Sequence, residues 1–259
     1  MIVALFVVLV LCAGGFLLAK YVFSQEAVTN REKAGLPTAV AASSQASAVE
    51  SAAVGRNDSL IRKVKSPINI PTPEELNLDV PFTSQAPSAN WDYTHEEACE
   101  EAAILMAGRY FRGIQISNAD DAEKGLQGII SWEKENLGFF ESTTAEETVK
   151  TIEGIYALKT ETVENPTTEQ IKSAIAAKKL VLVPTAGRQI GNPFYKSPGP
   201  LYHMLLIKGY TKTQFITNDA GTKRGENYPY KFETILNANH DWNGGDVASG
   251  RKVIIFVSK

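Results

Sequence analysis

The chain has 259 residues and a net charge of −3, with no basic face, which argues against nucleic acid as its main partner. Its 44% hydrophobic and 21% charged residues are those of an ordinary folded protein that can bury a sizeable core. The cysteines are Cys12 and Cys99, and Cys12 lies in an apolar run, so an internal disulfide framework is excluded.

Residues 2–19, IVALFVVLVLCAGGFLLA, are uncharged up to Lys20. At 1.5 Å per residue such a helix reaches about 27 Å, close to the hydrocarbon thickness of a bilayer. A cleaved signal usually has a basic start and a shorter apolar region, so residues 1–20 are expected to be a retained single-pass anchor rather than a signal segment. Leu11 before Cys12 speaks against lipoprotein processing. Lys20, Arg31 and Lys33 follow the run, which by charge bias alone would keep the C-terminal side in the cytoplasm. Long C-terminal domains translocate regardless of such counts, and the stalk-like segment that follows favours an extracytoplasmic domain.

Residues 21–76 are rich in Ala, Ser and Pro. PTAVAASSQASAVESAAVG (37–55) has no aromatic residue and cannot bury enough surface to offset its ordering entropy. This segment is expected to be a largely disordered stalk, and the folded domain to span 77–259.

Within that domain LDVPF (78–82) reads as a short strand. Residues 95–111 read as a helix, with Ala98, Ala102, Leu105, Met106 and Phe111 at helical spacing and a Thr94/Glu97 capping box. Helical stretches follow near 118–136, 144–156 and 167–179, the last opened by Thr167 and Gln170. The pattern then turns to strands: LVLVPT (180–185), HMLLIKGY (203–210), TQFITND (213–219) and KVIIFVS (252–258). Between the first two lies a 17-residue loop, 186–202, of Gly, Pro and aromatics, the kind of loop that is commonly functional. Helices first and antiparallel strands later indicate one α+β domain.

Cys99 stands near the start of the first long helix, where a helix N-terminus stabilises a thiolate. On a helix, Glu100 and Glu101 would point about 100° and 200° away from it and act weakly, whereas Glu96 would act most. His203 opens a strand after the long loop, where it can serve a thiol as base. Asn218 or Asp219 closes the next strand and can orient that imidazole, but adjacent residues face opposite ways and only one can reach it. Gln85 follows the first strand, where its amide could donate to an oxyanion beside the Cys99 N–H. That N–H must then be unpaired, so the helix should start nearer Cys99 than Thr94 implies.

The succession VPFTSQ, Cys-x-x-Ala opening a helix, GPLYHMLLIKGY and a strand ending in NDAG resembles the C39-like peptidases of the papain-like superfamily. The resemblance runs in order from about Leu78 to the C-terminus. It implies a papain-like α+β fold, with N-terminal helices packed on a C-terminal antiparallel sheet. It also implies Cys99 as nucleophile, His203 as base, Asp219 as its orienting acid and Gln85 in the oxyanion hole. Many relatives carry Gly and Pro after the cysteine, where this chain has Glu100 and Glu101. The activity implied is hydrolysis of peptide or protein substrates, with no cofactor and no metal. Trp91, Phe194, Tyr195 and Tyr202 are the expected substrate wall. The alternative on the same fold is a peptide- or cell-wall-binding module without catalysis.

Overall fold

The structure, a computed structural model, describes residues 73–259. The expected anchor (1–20) and most of the stalk (21–76) lie outside the described residues, as does Cys12. Among the described residues no helix is long and apolar enough to cross a membrane.

The chain runs β1 (Leu76–Asn77), α1 (Tyr93–Glu96), α2 (Cys99–Arg112), α3 (Ala119–Asn136), α4 (Ala145–Tyr156), β2 (Lys159–Glu164) and α5 (Thr168–Ala176). It continues with β3 (Leu180–Ala186), α6 (Gly187–Ile190), β4 (Tyr202–Tyr210), β5 (Gln214–Asn218), β6 (Tyr228–Lys231), α7 (Phe232–Ala238) and β7 (Val253–Ser258). The strands form one antiparallel sheet in the order β2-β7-β3-β4-β5-β6, with β1 added to the far end of β4. This is the α+β architecture expected from the sequence.

The near-continuous apolar runs of β3 and β4 bury every residue. Successive strand residues point to opposite faces, so both faces of the sheet are covered here. Pro184 is accommodated inside β3 because β7 stops pairing with that strand at Leu182. β2, KTETVE, pairs with β7 along its whole length while staying largely exposed. Its charges suit a sheet edge, and they hide it from a search for apolar alternation. β6 and α7 lack long apolar runs and are likewise absent from the sequence expectation.

The expected strand at 78–82 is not one; pairing stops at Asn77. Leu78 N–H still reaches Lys208 O, but Val80 N–H then folds onto Leu78 O and Pro81 has no N–H to give. Opposite this segment β4 is bulged between Ile207 and Gly209. The buried Lys208 ammonium donates to Asn77 Oδ1, Leu78 O and Asn227 Oδ1 at 2.7–2.8 Å, pinning the entering chain. Gly209 is required where β1 crosses, since a Cβ there would lie 2.5 Å from Leu76 O.

The expected helix at 95–111 is broken in two. Asp92, not Thr94, caps α1 by accepting from His95 N–H. The chain leaves helical geometry at Glu97 and Ala98, and α2 begins at Cys99 itself. From there 11 of the 14 residues of α2 are buried, which places it as the central helix against α3, α4 and β4.

Candidate active site

Starting α2 at Cys99 puts the cysteine at the first helical position, where backbone N–H groups have no intrahelical acceptor. The short α1 ends just before it, and Gln85 caps that end. Gln85 Nε2 donates to His95 O at 2.7 Å and Glu96 O at 3.1 Å. The main chain of Gln85 bonds Ala220 O at 2.9 Å. Gln85 thus ties the end of α1, just before Cys99, to the turn after β5, and its Oε1 is buried without a partner among the described residues.

The thiol of Cys99 is buried beside β4, where the Met204 N–H reaches it. His203, the residue before Met204, is almost wholly buried, and its Nε2 meets Asp219 Oδ1 at 2.9 Å. That bond leaves Nδ1 as the other ring nitrogen. Asn218 points elsewhere, donating to Val80 O and Pro81 O. Of the two candidates, Asp219 meets the imidazole.

Asp219 is held by more than His203. Its Oδ1 also accepts from Gly221 N–H at 3.0 Å. Its Oδ2 accepts from Asn192 Nδ2 at 2.9 Å, Tyr195 OH at 2.8 Å and Tyr230 OH at 2.6 Å. Burial alone would raise the Asp219 pKa. The charge of His203 and the donors outweigh it and keep the carboxyl below its ordinary range. Burial, then the Asp219 charge, pushes both phenols above their ordinary pKa, so they remain donors. Asn192 and Tyr230 lie in a loop and a short strand that give no sequence signal for this role.

The loop below Asp219 leaves no room for a side chain at Gly225. A Cβ there would sit 1.7 Å from Asp219 O. Gly225→Ala should therefore shift the Asp219 backbone and cost about 1–3 kcal/mol, the usual range for overpacking. Gly128, in α3 with nothing within 4 Å, is the contrast. Gly128→Ala should be neutral or stabilising by up to about 1 kcal/mol, through helix propensity alone. Thermal unfolding of the two variants checks both values.

Two of the expected wall residues face solvent and two do not. Trp91 and Phe194 are exposed at 44% and 42%. Arg224 stacks over the Phe194 ring at 4.7 Å. Tyr195 instead spends its hydroxyl on Asp219 and sets its ring edge-on to His203, with centroids 5.4 Å apart. Tyr202 is buried, with its OH on Thr143 O and its ring against Trp242. These two support the site from behind.

The acidic neighbours depart from expectation. Glu96 belongs to α1, on the far side of the helix break, and is not one turn earlier on the same helix. Glu100 is the residue that meets the thiol: it is buried, with Oε2 2.9 Å from Cys99 Sγ and Oε1 accepting Thr143 N–H at 2.8 Å. Burial first, then Glu100 when it is ionised, through its charge and hydrogen bond, pushes the Cys99 thiol well above its ordinary pKa, against the lowering effect of the Met204 N–H.

A family model for the Peptidase_C39 like family matches residues 77–244, which contain all four candidate residues. The chain belongs to the C39-like peptidase family. The crystal structure of a protein described as a C39-like peptidase from Bacillus anthracis aligns with a TM-score of 0.47 at 14% identity. That alignment covers 72% of this chain and 99% of the other. No curated protein matches the sequence. Within this C39-like domain the cysteine is the first residue of the central helix, the histidine lies on β4, which packs against that helix, and the aspartate directly follows β5.

Proposed function

We propose that this protein is a membrane-tethered thiol peptidase, anchored by residues 1–20, with its C39-like domain outside the cytoplasm. The observation that carries the activity is the 2.9 Å bond from His203 to a caged Asp219, on the strand that packs against Cys99. A buried imidazole so oriented through Nε2 has Nδ1 available as a general base.

In the proposed reaction His203 Nδ1 takes the Cys99 proton and the thiolate attacks a peptide carbonyl. The Cys99 N–H, unpaired at the start of α2, donates to the oxyanion. Gln85 Nε2 joins it by giving up its longer bond, to Glu96 O. His203 then protonates the leaving amine, and water, activated by the same imidazole, releases the acyl group. Trp91 and Phe194 are the proposed wall for the peptide. The Cys99–Glu100 contact favours the other reading, a peptide- or cell-wall-binding module with a silenced thiol.

Alkylation separates the two. In the full chain carrying Cys12→Ser, Cys99 is the only thiol. Iodoacetamide at neutral pH should label it at least about tenfold faster than in the same chain with His203→Ala, the equivalent of one unit of thiol pKa. Equal rates in both chains would leave the binding module. Profiling the active chain against a mixed peptide library then defines the substrate.

A further inference from the structure

The glutamate at the nucleophile is placed as a participant. Its Oε1 accepts the Thr143 N–H, so that oxygen is the carbonyl-like one. Oε2, the oxygen that would carry a proton, accepts from the Cys99 thiol at 2.9 Å. The Thr143 peptide is itself fixed: Tyr202 OH donates to its carbonyl at 2.9 Å, and its Oγ1 pairs with Thr148 Oγ1. Tyr202 immediately precedes His203, so one peptide links the glutamate to the strand of the base.

The surroundings of Glu100 favour its neutral form. It is 1% exposed and forms no ion pair with any lysine, arginine or histidine among the described residues. The charged groups around it are acidic: Glu97 before α2, Glu101 on α2 and Glu133 on α3, with Glu147 of α4 acting in turn on Glu133. β4 brings the Met204 N–H to the thiol, and His203 is the residue before Met204 on that strand. Burial first, reinforced by the charges of Glu133 and Glu97, raises the Glu100 pKa to about 8 against the opposing hydrogen bonds from Cys99 and the backbone.

We propose that Glu100 is a catalytic residue of this site, a protonated carboxyl whose Oε2–H donates to Cys99 Sγ and stabilises the thiolate. The proposal rests on the thiol-peptidase reading. The S–H bond breaks, its proton moves to His203 Nδ1, and the electron pair stays on sulfur. The Glu100 O–H bond stays intact throughout, and with Met204 N–H it makes two donors to the anion. When sulfur bonds to the substrate carbon those donors lose their acceptor, and they regain it when the acyl group leaves. A carboxylic acid kept neutral by its site so that it can donate is a known device for stabilising anions.

The test is the pH profile of iodoacetamide labelling in the full chain with Cys12→Ser. Labelling should hold steady below about pH 8 and then fall at least about tenfold as Glu100 ionises beside the thiolate, a drop that one unit of thiol pKa would give. Glu100→Gln keeps both contacts, an acceptor for Thr143 N–H and a donor for sulfur, but cannot ionise. Its amide is the weaker donor, so it should label more slowly than the parent at pH 7 and lose the alkaline fall, whereas Glu100→Ala should be slower still throughout. If Glu100→Gln labels tenfold faster than the parent at pH 7, the native glutamate is ionised and suppresses the thiol, and the proposal is overturned. A parent chain with no alkaline fall overturns it without any variant. Unchanged labelling in His203→Ala removes the peptidase reading and this role together. A slowed His203→Ala with an unaltered Glu100→Gln profile removes only the role of Glu100.

Discussion

Asp219→Asn should slow the alkylation of Cys99 at least about a hundredfold, the lower range of what a positioned general base contributes. A neutral amide can serve a Cys-His pair in this position, but this cage is built for a carboxylate. Oδ1 faces two N–H groups, from His203 and Gly221, and Oδ2 faces three donors. An amide has one acceptor oxygen and must turn its NH2 to one side. Toward Oδ1 it confronts the Gly221 N–H, which cannot move, and the imidazole it should orient. Toward Oδ2 the two phenols can turn and accept, but Asn192 cannot turn its amide without losing the bond from Phe194 N–H to its Oδ1. Either choice leaves a buried donor facing a donor, at a cost of about 1–3 kcal/mol. In a domain this size that corresponds to a fall in melting temperature of roughly 5 °C. Tyr195→Phe, which removes one donor of the five, should do much less on both measures. A chain with Asp219→Asn that melts normally and labels at the parental rate would show that the carboxylate does not orient His203.

The parts of this fold that the sequence announces are those where local pattern and tertiary packing agree. α4 and α5 carry complete capping boxes, Thr144/Glu147 and Thr167/Gln170, and both helices begin as those residues require. β3, β4, β5 and β7 are apolar because the sheet interior demands it. The Thr94/Glu97 box misleads because Gln85, far away in sequence, takes the carbonyls of His95 and Glu96 and ends the helix early. No local window contains that bond. The same limit applies to the site. The order of Cys99, His203 and Asp219 is legible, as is the need for α2 to begin near Cys99. Asn192 and Tyr230 are not, since their role exists only once a loop and an edge strand fold over Asp219. The contact of Glu100 with the thiol is not legible either, because helical angles place a side chain's origin and say nothing of how a buried carboxyl bends to find partners.

The acids buried in this domain should make it more stable at pH 6 than at pH 9, and the size of the difference should depend on Glu101. Glu101 is fully buried and, among the described residues, neither of its oxygens meets an N–H or a hydroxyl. Its neighbour is the Glu133 carboxyl, with which it can bond only by sharing a proton. Burial first, then the charge of Glu133, raises Glu101 well above the carboxylate range. Burial, with the charges of Glu147 and Glu141, raises Glu133 to about 7 despite hydrogen bonds to Glu101 and Thr151. Asp241, buried in the loop after α7 and accepting the Ala145 N–H of α4, is raised to about 6, burial outweighing Arg251. Each of these acids, with Glu100, binds its proton more tightly folded than unfolded. The folded state therefore has its full advantage below the ordinary carboxylate pKa near 4 and loses it as pH rises through about 6, 7 and 8. His95 adds to the same trend. Burial lowers its pKa, but Glu123 and Asp92 on its two ring nitrogens overcome that and raise it, so its stabilisation is present below 6.5 and fades above its folded pKa. Asp219 works at the other end: its lowered pKa means stability is lost only as acid protonates it. Melting temperatures of the full chain should thus fall steadily from pH 6 to pH 9. Glu101→Gln replaces the shared proton with a permanent amide donor to Glu133, which can then ionise at less cost. Its melting temperature should match the parent near pH 6 and exceed it at pH 9. A variant destabilised by the same amount at every pH would mean that the pair shares no proton, and that Glu101 serves the fold by its shape alone.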